Sequence, residues 1–225
     1  MVFGDPGQGR PMSLIFRDRI DAGRQLAGLL GKWRSNPGLV VIALPRGGVP
    51  VAREVARALG APLDIVCPRK IGAPHNPEFA VGAITESGEG LFDTQTIESL
   101  HISREYLQQA VEKEMREAEH RLALYRAGRG KRSLLNKIVL IVDDGLATGS
   151  TMKAAILSVQ AEGPLKILVA VPVSPPDTAA EIEELVDEFY CLSRPPYFSA
   201  VGQFYSDFRA TSDQEVIEIM KEEVL

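Results

Sequence analysis

The chain has little of anything that would stabilise it without an ordinary core. It carries two cysteines in 225 residues, Cys67 and Cys191. Two thiols build neither a disulfide framework nor a zinc site by themselves, and a cytoplasmic setting is the default for such a chain. No apolar run approaches the length that spans a bilayer, so no membrane partner is expected. The opening MVFGDPGQGRPM lacks the charged-then-apolar pattern of a secretory signal and reads as a frayed tail. Cations are not in excess. The 25 Lys and Arg against 30 Asp and Glu leave a net charge of −5, which argues against general nucleic-acid binding. There is no G-x-S-x-G nucleophile elbow, which weakens an α/β hydrolase reading. The early GDPGQG does not follow a strand, so its glycines are no dinucleotide fingerprint. Repeats, low-complexity stretches and interdomain linkers are also missing.

An apolar fraction of 45% is enough for a full core, and the length suits one α/β domain. Apolar runs alternate with helical patterns along the chain, which predicts an α/β fold built on a mostly parallel open sheet flanked by helices. Residues 18–33 carry a helical stripe of Leu26, Leu29, Leu30 and Trp33. Residues 39–44 form a continuous apolar strand, and a helix from Pro50 stops at Gly60. Residues 63–66 read as a second strand, with Arg69 and Lys70 opening a loop, IGAPHNPEFAVG. Residues 80–85 read as a third, turning through SGEG to Leu91 and Phe92. A long helix over 103–127 steps through Leu107, Val111, Met115, Ala118, Leu122 and Tyr125 and stops at Gly128. Its other faces are charged, which suits a solvated helix laid on the sheet, or a contact with a second copy in a homodimer. Further on, the pattern predicts a helix over 151–160, strands at 167–171 and 188–191, a helix started by Ser174 and Asp177, and a terminal helix started by a Ser212–Glu215 capping box.

The most informative segment is Val139-Leu140-Ile141-Val142-Asp143-Asp144-Gly145-Leu146-Ala147-Thr148-Gly149-Ser150-Thr151. An apolar parallel strand delivers two adjacent carboxylates at its carboxyl end, where open α/β sheets bind ligands. The loop that follows offers backbone N–H groups, three hydroxyls and a helix amino end, all suited to a phosphate. The carboxylates suit a hydroxyl-rich group or a hydrated Mg²⁺. A ligand with a diol at one end and a phosphate at the other is a ribose 5-phosphate.

This run resembles the signature by which type I phosphoribosyltransferases bind 5-phosphoribosyl-1-pyrophosphate (PRPP), and the chain is similar to a little-characterised bacterial branch of that family. The resemblance implies one phosphoribosyltransferase-like domain over residues 1–225. Its core would span about 35–191, with a small hood from about 12–34 plus 192–225 and a long inserted helix. It implies that Asp143 and Asp144 hold the ribose hydroxyls and, through water or PRPP, Mg²⁺. Ala147, Thr148, Gly149, Ser150 and Thr151 would wrap the 5′-phosphate. Arg46, Gly47 and Gly48 in the turn PRGGV match the loop that contacts pyrophosphate. Two glycines there permit unusual torsions and close approach of a ligand, and Arg46 offers a charged fork. Arg69 and Lys70 match a basic pair before a mobile loop that closes over PRPP. Pro74 and Pro77 stiffen that loop, and His75 reads as a solvated residue.

The implied reaction replaces pyrophosphate at the sugar C1 with a nitrogen acceptor, a nucleobase by preference, through a sugar cation stabilised by positioning and electrostatics. An alternative from another class is a PRPP-binding regulator with little or no transfer. Gly145 stands where many relatives carry a branched apolar residue. Ala147 stands where the 6-oxopurine enzymes carry a carboxylate, which makes hypoxanthine and guanine poor candidates. Tyr197, Phe198, Phe204, Tyr205 and Phe208 are candidates either for stacking on a base or for a satellite hydrophobic cluster. Asp207 and Arg209 are candidates for reading base edges.

Overall fold

Three apolar runs make the centre of the sheet. In the computed structural model residues 15–84, 90–126, 128 and 130–222 are described. Strand β1 (Leu39–Ala43) is buried throughout, as are all but the first residues of β6 (Ile138–Val142) and β7 (Lys166–Val173). With β2 (Leu63–Ile65) and β8 (Glu188–Ser193) they form a five-stranded, wholly parallel sheet in the order β2-β1-β6-β7-β8. Successive residues on a strand face opposite ways. Leu39, Val41, Ala43, Leu140, Val142, Leu168 and Ala170 therefore pack on one side with helices α1 (Arg19–Leu29) and α2 (Gly48–Leu59). Val40, Ile42, Val139, Ile141, Val169 and Val171 pack on the other side with α5 (Ser150–Gln160) and α6 (Pro176–Glu183). Two-sided burial is why these strands read as continuous apolar runs.

Most helix boundaries follow their local chemistry. Asp18 caps α1, its carboxylate accepting from the Asp21 amide at 2.7 Å. A short 3-10 turn, Gly31–Trp33, completes the expected first helix. Gly60 ends α2 at φ 65°, a left-handed position that glycine occupies without cost. The capping box at Ser212 and Glu215 forms in both directions before α7 (Asp213–Glu222). Ser174 does not cap α6. Its hydroxyl turns to the Pro175 carbonyl, and α6 begins at Pro176, after Pro175 in the cap position, with no side-chain cap.

A second sheet departs from expectation. Arg69 and Lys70 do not open a loop. They begin β3 (Arg69–Ala73), which pairs antiparallel with β4 (Asn76–Ile84), and β4 pairs with β5 (Gly90–Phe92). Pro74 and His75 form the tight turn, so the stiffness of the segment serves a hairpin. Local reading misses it because Gly72, Pro74 and Pro77 mimic loop composition, while the pairing comes from the partner strand and is bulged around Gly72. Residues 85–89, which hold most of SGEG, lie outside the described residues. A short helix α3 (Thr94–Ser99), capped by Asp93, has no counterpart in the sequence pattern.

The long helix α4 (Arg104–Arg126) serves two cores with one stripe. Ala118, Leu122 and Tyr125 enter the main core, whereas Leu107, Val111 and Met115 pack on a small core of Ile71, Ala73, Val81, Ile84 and Ile102 from the hairpin sheet. At the far end of the chain, residues 204–207 pair through backbone with the segment before α1. The Phe16 amide donates to the Phe204 carbonyl, and the Ser206 and Asp207 amides donate to the carbonyls of Phe16 and Arg17, each at 2.8 Å. Phe16, Phe204 and Tyr205 pack with Ala22 and Val173 over the carboxyl end of β7.

Candidate active site

The sheet order makes β1 and β6 neighbours from which the chain departs in opposite directions. A reversal of this kind is the switch point at whose carboxyl end open α/β sheets bind ligands in a crevice. Asp143 and Asp144 leave β6 into that crevice. The turn Pro45-Arg46-Gly47-Gly48 leaves β1 beside them, with a cis peptide between Pro45 and Arg46. Gly47 and Gly48 are needed for proximity. Gly47 has helical torsions, φ −60° and ψ −35°. A Cβ on Gly47 would lie 2.1 Å from Asp144 Oδ2, and one on Gly48 would lie 2.9 Å from Asp143 Cα and Oδ1. The expectation of unusual torsions is therefore corrected. The two glycines let the β1 turn touch the acidic pair.

The pair is deeply placed. Asp143 Oδ1 accepts from the Asp144 amide at 2.8 Å. Asp144 Oδ2 accepts from Arg19 Nε at 2.8 Å, with the two side chains only 14% and 11% exposed. Its carbonyl accepts from the Tyr205 hydroxyl at 2.6 Å. Burial and the neighbouring Asp144 hold the Asp143 carboxyl well above the ordinary carboxylate range. Burial also raises Asp144, against the opposing charge and hydrogen bond of Arg19. Burial first, then the Asp144 charge, raises the Tyr205 phenol as well.

A carboxyl group raised by folding adds stability that is complete below its unfolded value and is lost as pH rises through its folded value. Asp143 thus destabilises the ligand-free protein near neutrality. Asp143→Asn keeps the acceptor oxygen for the Asp144 amide and removes the buried charge. It is expected to raise the melting temperature near neutral pH, by about 2–4 °C for each kcal/mol relieved, and to gain less in mild acid. Melting curves of both proteins across that range check this.

The loop after the pair ends as the sequence predicts. Gly149 sits at φ 71° immediately before α5, and its missing side chain admits Thr178 Cγ2 2.9 Å from where a Cβ would be. Thr148 and Ser150 hydroxyls lie 3.1 Å apart, and Thr178 donates its hydroxyl to the Ala147 carbonyl at 2.9 Å. Thr151 follows in the first turn of α5. Gly145 also has a physical reason. A Cβ there would meet Val201 Cγ1 at 2.7 Å and Val173 Cγ1 at 2.9 Å, so Val201 fills the space of a branched residue.

The cations are arranged differently. Arg46 is half exposed and lies 3.6 Å from Asp213 at the start of α7. Arg69 is bound to Glu114 of α4 at 2.6 Å through Nε. Lys70 stands next to it in β3, paired in register with Ala83, and the hairpin sheet packs on α5. His75 is exposed. The aromatic residues mostly pack on one another: Phe198 stacks on Phe204, and Tyr205 contacts Phe16 and Phe208. Of the five candidates, Tyr197 projects into solvent at 88% exposure. Arg209 pairs with Glu215 at 3.0 Å. The residue that local reading misses is Arg19. It lies 125 positions from Asp144, and no spacing rule connects them.

A family model described as the phosphoribosyl transferase domain matches residues 20–209. The chain belongs to that family. Two Mycobacterium tuberculosis proteins, each named "Putative phosphoribosyl transferase", are 44% identical to it over 203 residues. The match covers 90% of this chain and 46% of theirs, so the chain spans about half the length of these relatives. The crystal structure of TT1426 from Thermus thermophilus superposes with a TM-score of 0.83 at 41% identity, covering 93% of this chain and 99% of that one. The acidic pair, the β1 turn and the loop before α5 all fall within the matched phosphoribosyl transferase domain.

Proposed function

We propose that this protein transfers the 5-phosphoribosyl group of PRPP to a nitrogen acceptor, by preference a nucleobase, and releases pyrophosphate. The observation that carries the reading is the convergence of Asp143, Asp144, Gly47 and Gly48 with the Ala147–Thr151 loop at one crevice of the parallel sheet. In this reading the two carboxylates accept hydrogen bonds from the ribose hydroxyls. The amides and hydroxyls of Ala147, Thr148, Gly149, Ser150 and Thr151 hold the 5′-phosphate at the start of α5. The β1 turn at Arg46, Gly47 and Gly48, held against the acidic pair, meets pyrophosphate, and Arg46, Arg69 and Lys70 offset its charge. The hood of this reading is about 12–34 plus 192–225, of which 15–34 and 192–222 are described.

The chemistry of the donors fits Mg²⁺ in one mode. Among the described residues no three His, Cys, Asp or Glu side chains converge as a metal cage. Asp144 has a direct cationic partner in Arg19, whereas Asp143 accepts from the neutral Asp144 amide. An oxygen-only pair of this kind suits a hydrated ion held through water and ligand oxygens. Bound there, Mg²⁺ would offset charge on the departing pyrophosphate. Among the described residues no helix is long and apolar enough to cross a membrane. A cytoplasmic site of action is part of the proposal.

Calorimetric titration of PRPP with Mg²⁺ tests the reading. The wild-type protein is expected to bind at roughly micromolar Kd, near −8 kcal/mol, and Asp143→Asn/Asp144→Asn to show no binding. A folded wild-type protein that binds no PRPP overturns it. Screening nitrogen heterocycles for pyrophosphate release then separates transfer from mere PRPP binding.

A further inference from the structure

We propose that Arg19 is a positioning residue of the ribose site, fixing the carboxylate of Asp144 and tying it to the carboxyl-terminal segment that closes over the crevice. The inference rests on the reading of Asp144 as a ribose-binding group. Arg19 is the first residue of α1, placed there by the Asp18 cap. Its guanidinium is held from three directions. Nε donates to Asp144 Oδ2 at 2.8 Å, Nη1 donates to the Arg209 carbonyl at 2.7 Å, and Cζ lies over the Phe208 ring, 3.9 Å from its centre. The planar fork and weak hydration of a guanidinium suit a buried ion pair that also stacks on an aromatic face.

Each support is itself fixed. A Cβ on Gly202 would come within 2.8 Å of Phe208 Cδ1, so Phe208 lies directly against the backbone of the preceding turn. Tyr205, from the same segment, grips the carbonyl of Asp144. The segment before α1 is paired through backbone to residues 204–207. Asp144 is thus held at its carboxylate by α1 and at its main chain by the carboxyl-terminal segment. A Cβ on Gly47 would also come 3.3 Å from Arg19 Nε, so the same glycine leaves room for both partners. The charged and titratable groups about Asp144 are Asp143 beside it, Arg19 from α1 and the Tyr205 phenol. Arg46 from the β1 turn faces Asp213, and the Arg209 guanidinium faces Glu215.

The arrangement makes the ribose end of the site depend on Arg19, while the main-chain groups before α5 and in the β1 turn do not. Calorimetry of Arg19→Gln with two probes reads that difference. PRPP with Mg²⁺ is expected to bind about tenfold to a hundredfold more weakly, the effect of losing a charge-assisted hydrogen bond. Inorganic pyrophosphate with Mg²⁺, which has no ribose, is expected to bind within about twofold of wild type. Arg19→Lys restores the charge without the fork or the planar face, so it should recover part of the PRPP affinity. It also serves if Arg19→Gln folds poorly, because a partial, PRPP-only loss carries the same meaning. Equal weakening toward both probes would indicate a purely structural role and overturn the proposal. Unchanged PRPP affinity would overturn it as well. Wild-type protein that fails to bind PRPP is a different failure, that of the ribose-site reading on which the proposal depends.

Discussion

Replacing Gly47 by alanine is expected to eliminate PRPP binding in a protein that still folds. Gly47 has the torsions of an ordinary helical residue, so alanine meets no backbone strain there, and the exchange alone would favour the folded state slightly. The obstacle is Asp144. The new methyl would sit 2.1 Å from its Oδ2 and 2.7 Å from its Cγ. No rotation of the methyl relieves this, so the carboxylate must move. That carboxylate is bound to Arg19 on the same oxygen. Displacing it breaks a charge-assisted hydrogen bond in a partly dry site and moves one of the two groups assigned to ribose. Titration with PRPP and Mg²⁺ is expected to show at least about a hundredfold loss, some 3 kcal/mol, with a melting temperature within a few degrees of wild type. Binding within threefold of wild type would show that Asp144 does not meet the ligand.

The largest loss of stability is expected far from this crevice, at Asp64. It lies in the middle of the edge strand β2 and is 4% exposed. Its Oδ1 accepts from the Ile65 amide at 2.8 Å and from Arg126 Nε at 3.1 Å, and its Oδ2 accepts from the Arg132 amide at 3.0 Å. Arg126 also donates to the Ile65 carbonyl at 2.9 Å. One carboxylate therefore joins the edge of the sheet, the last turn of α4 and the segment leading to β6. Asp64→Ala removes the Asp64 carboxylate from beside a buried guanidinium and an acceptor from two backbone amides. Removing one member of a buried pair costs about 3–5 kcal/mol, which for a domain of this size lowers the melting temperature by on the order of 10 °C. Asp64→Asn keeps oxygen acceptors and is expected to lose less. Thermal denaturation of both variants checks the order, and an alanine variant as stable as wild type would show that the pair is dispensable.

The parallel sheet was legible because its central strands are buried on both faces and so consist of unbroken apolar residues, 39–43 and 138–142. The capping box at Ser212 and Glu215 was legible because both its hydrogen bonds are local. The β3–β4 hairpin was not, since its glycines and prolines carry loop propensities that pairing overrides. The stripe on α4 was visible, but its division between two cores was not, because periodicity reports which face is buried and not what covers it. Arg69 and Arg46 read as cations for pyrophosphate, and no local pattern names their carboxylate partners. Folding brings Glu114 and Asp213 to them from helices later in the chain.

By itself, then, the order of residues determined the signature strand, the acidic pair at its end, the small-residue loop after it and the alternation of strands and helices. These depend on neighbours within a few residues, where steric preference and period act directly. The tertiary structure alone decided that Gly47 and Gly48 must be small because Asp143 and Asp144 lie against them. It also decided that Val201 fills the space above Gly145, and that Arg19 is the counter-charge of Asp144. Those relations join residues dozens to more than a hundred positions apart. No local rule encodes them, and they exist only once packing has brought α1, the β1 turn and the carboxyl-terminal segment around one end of β6.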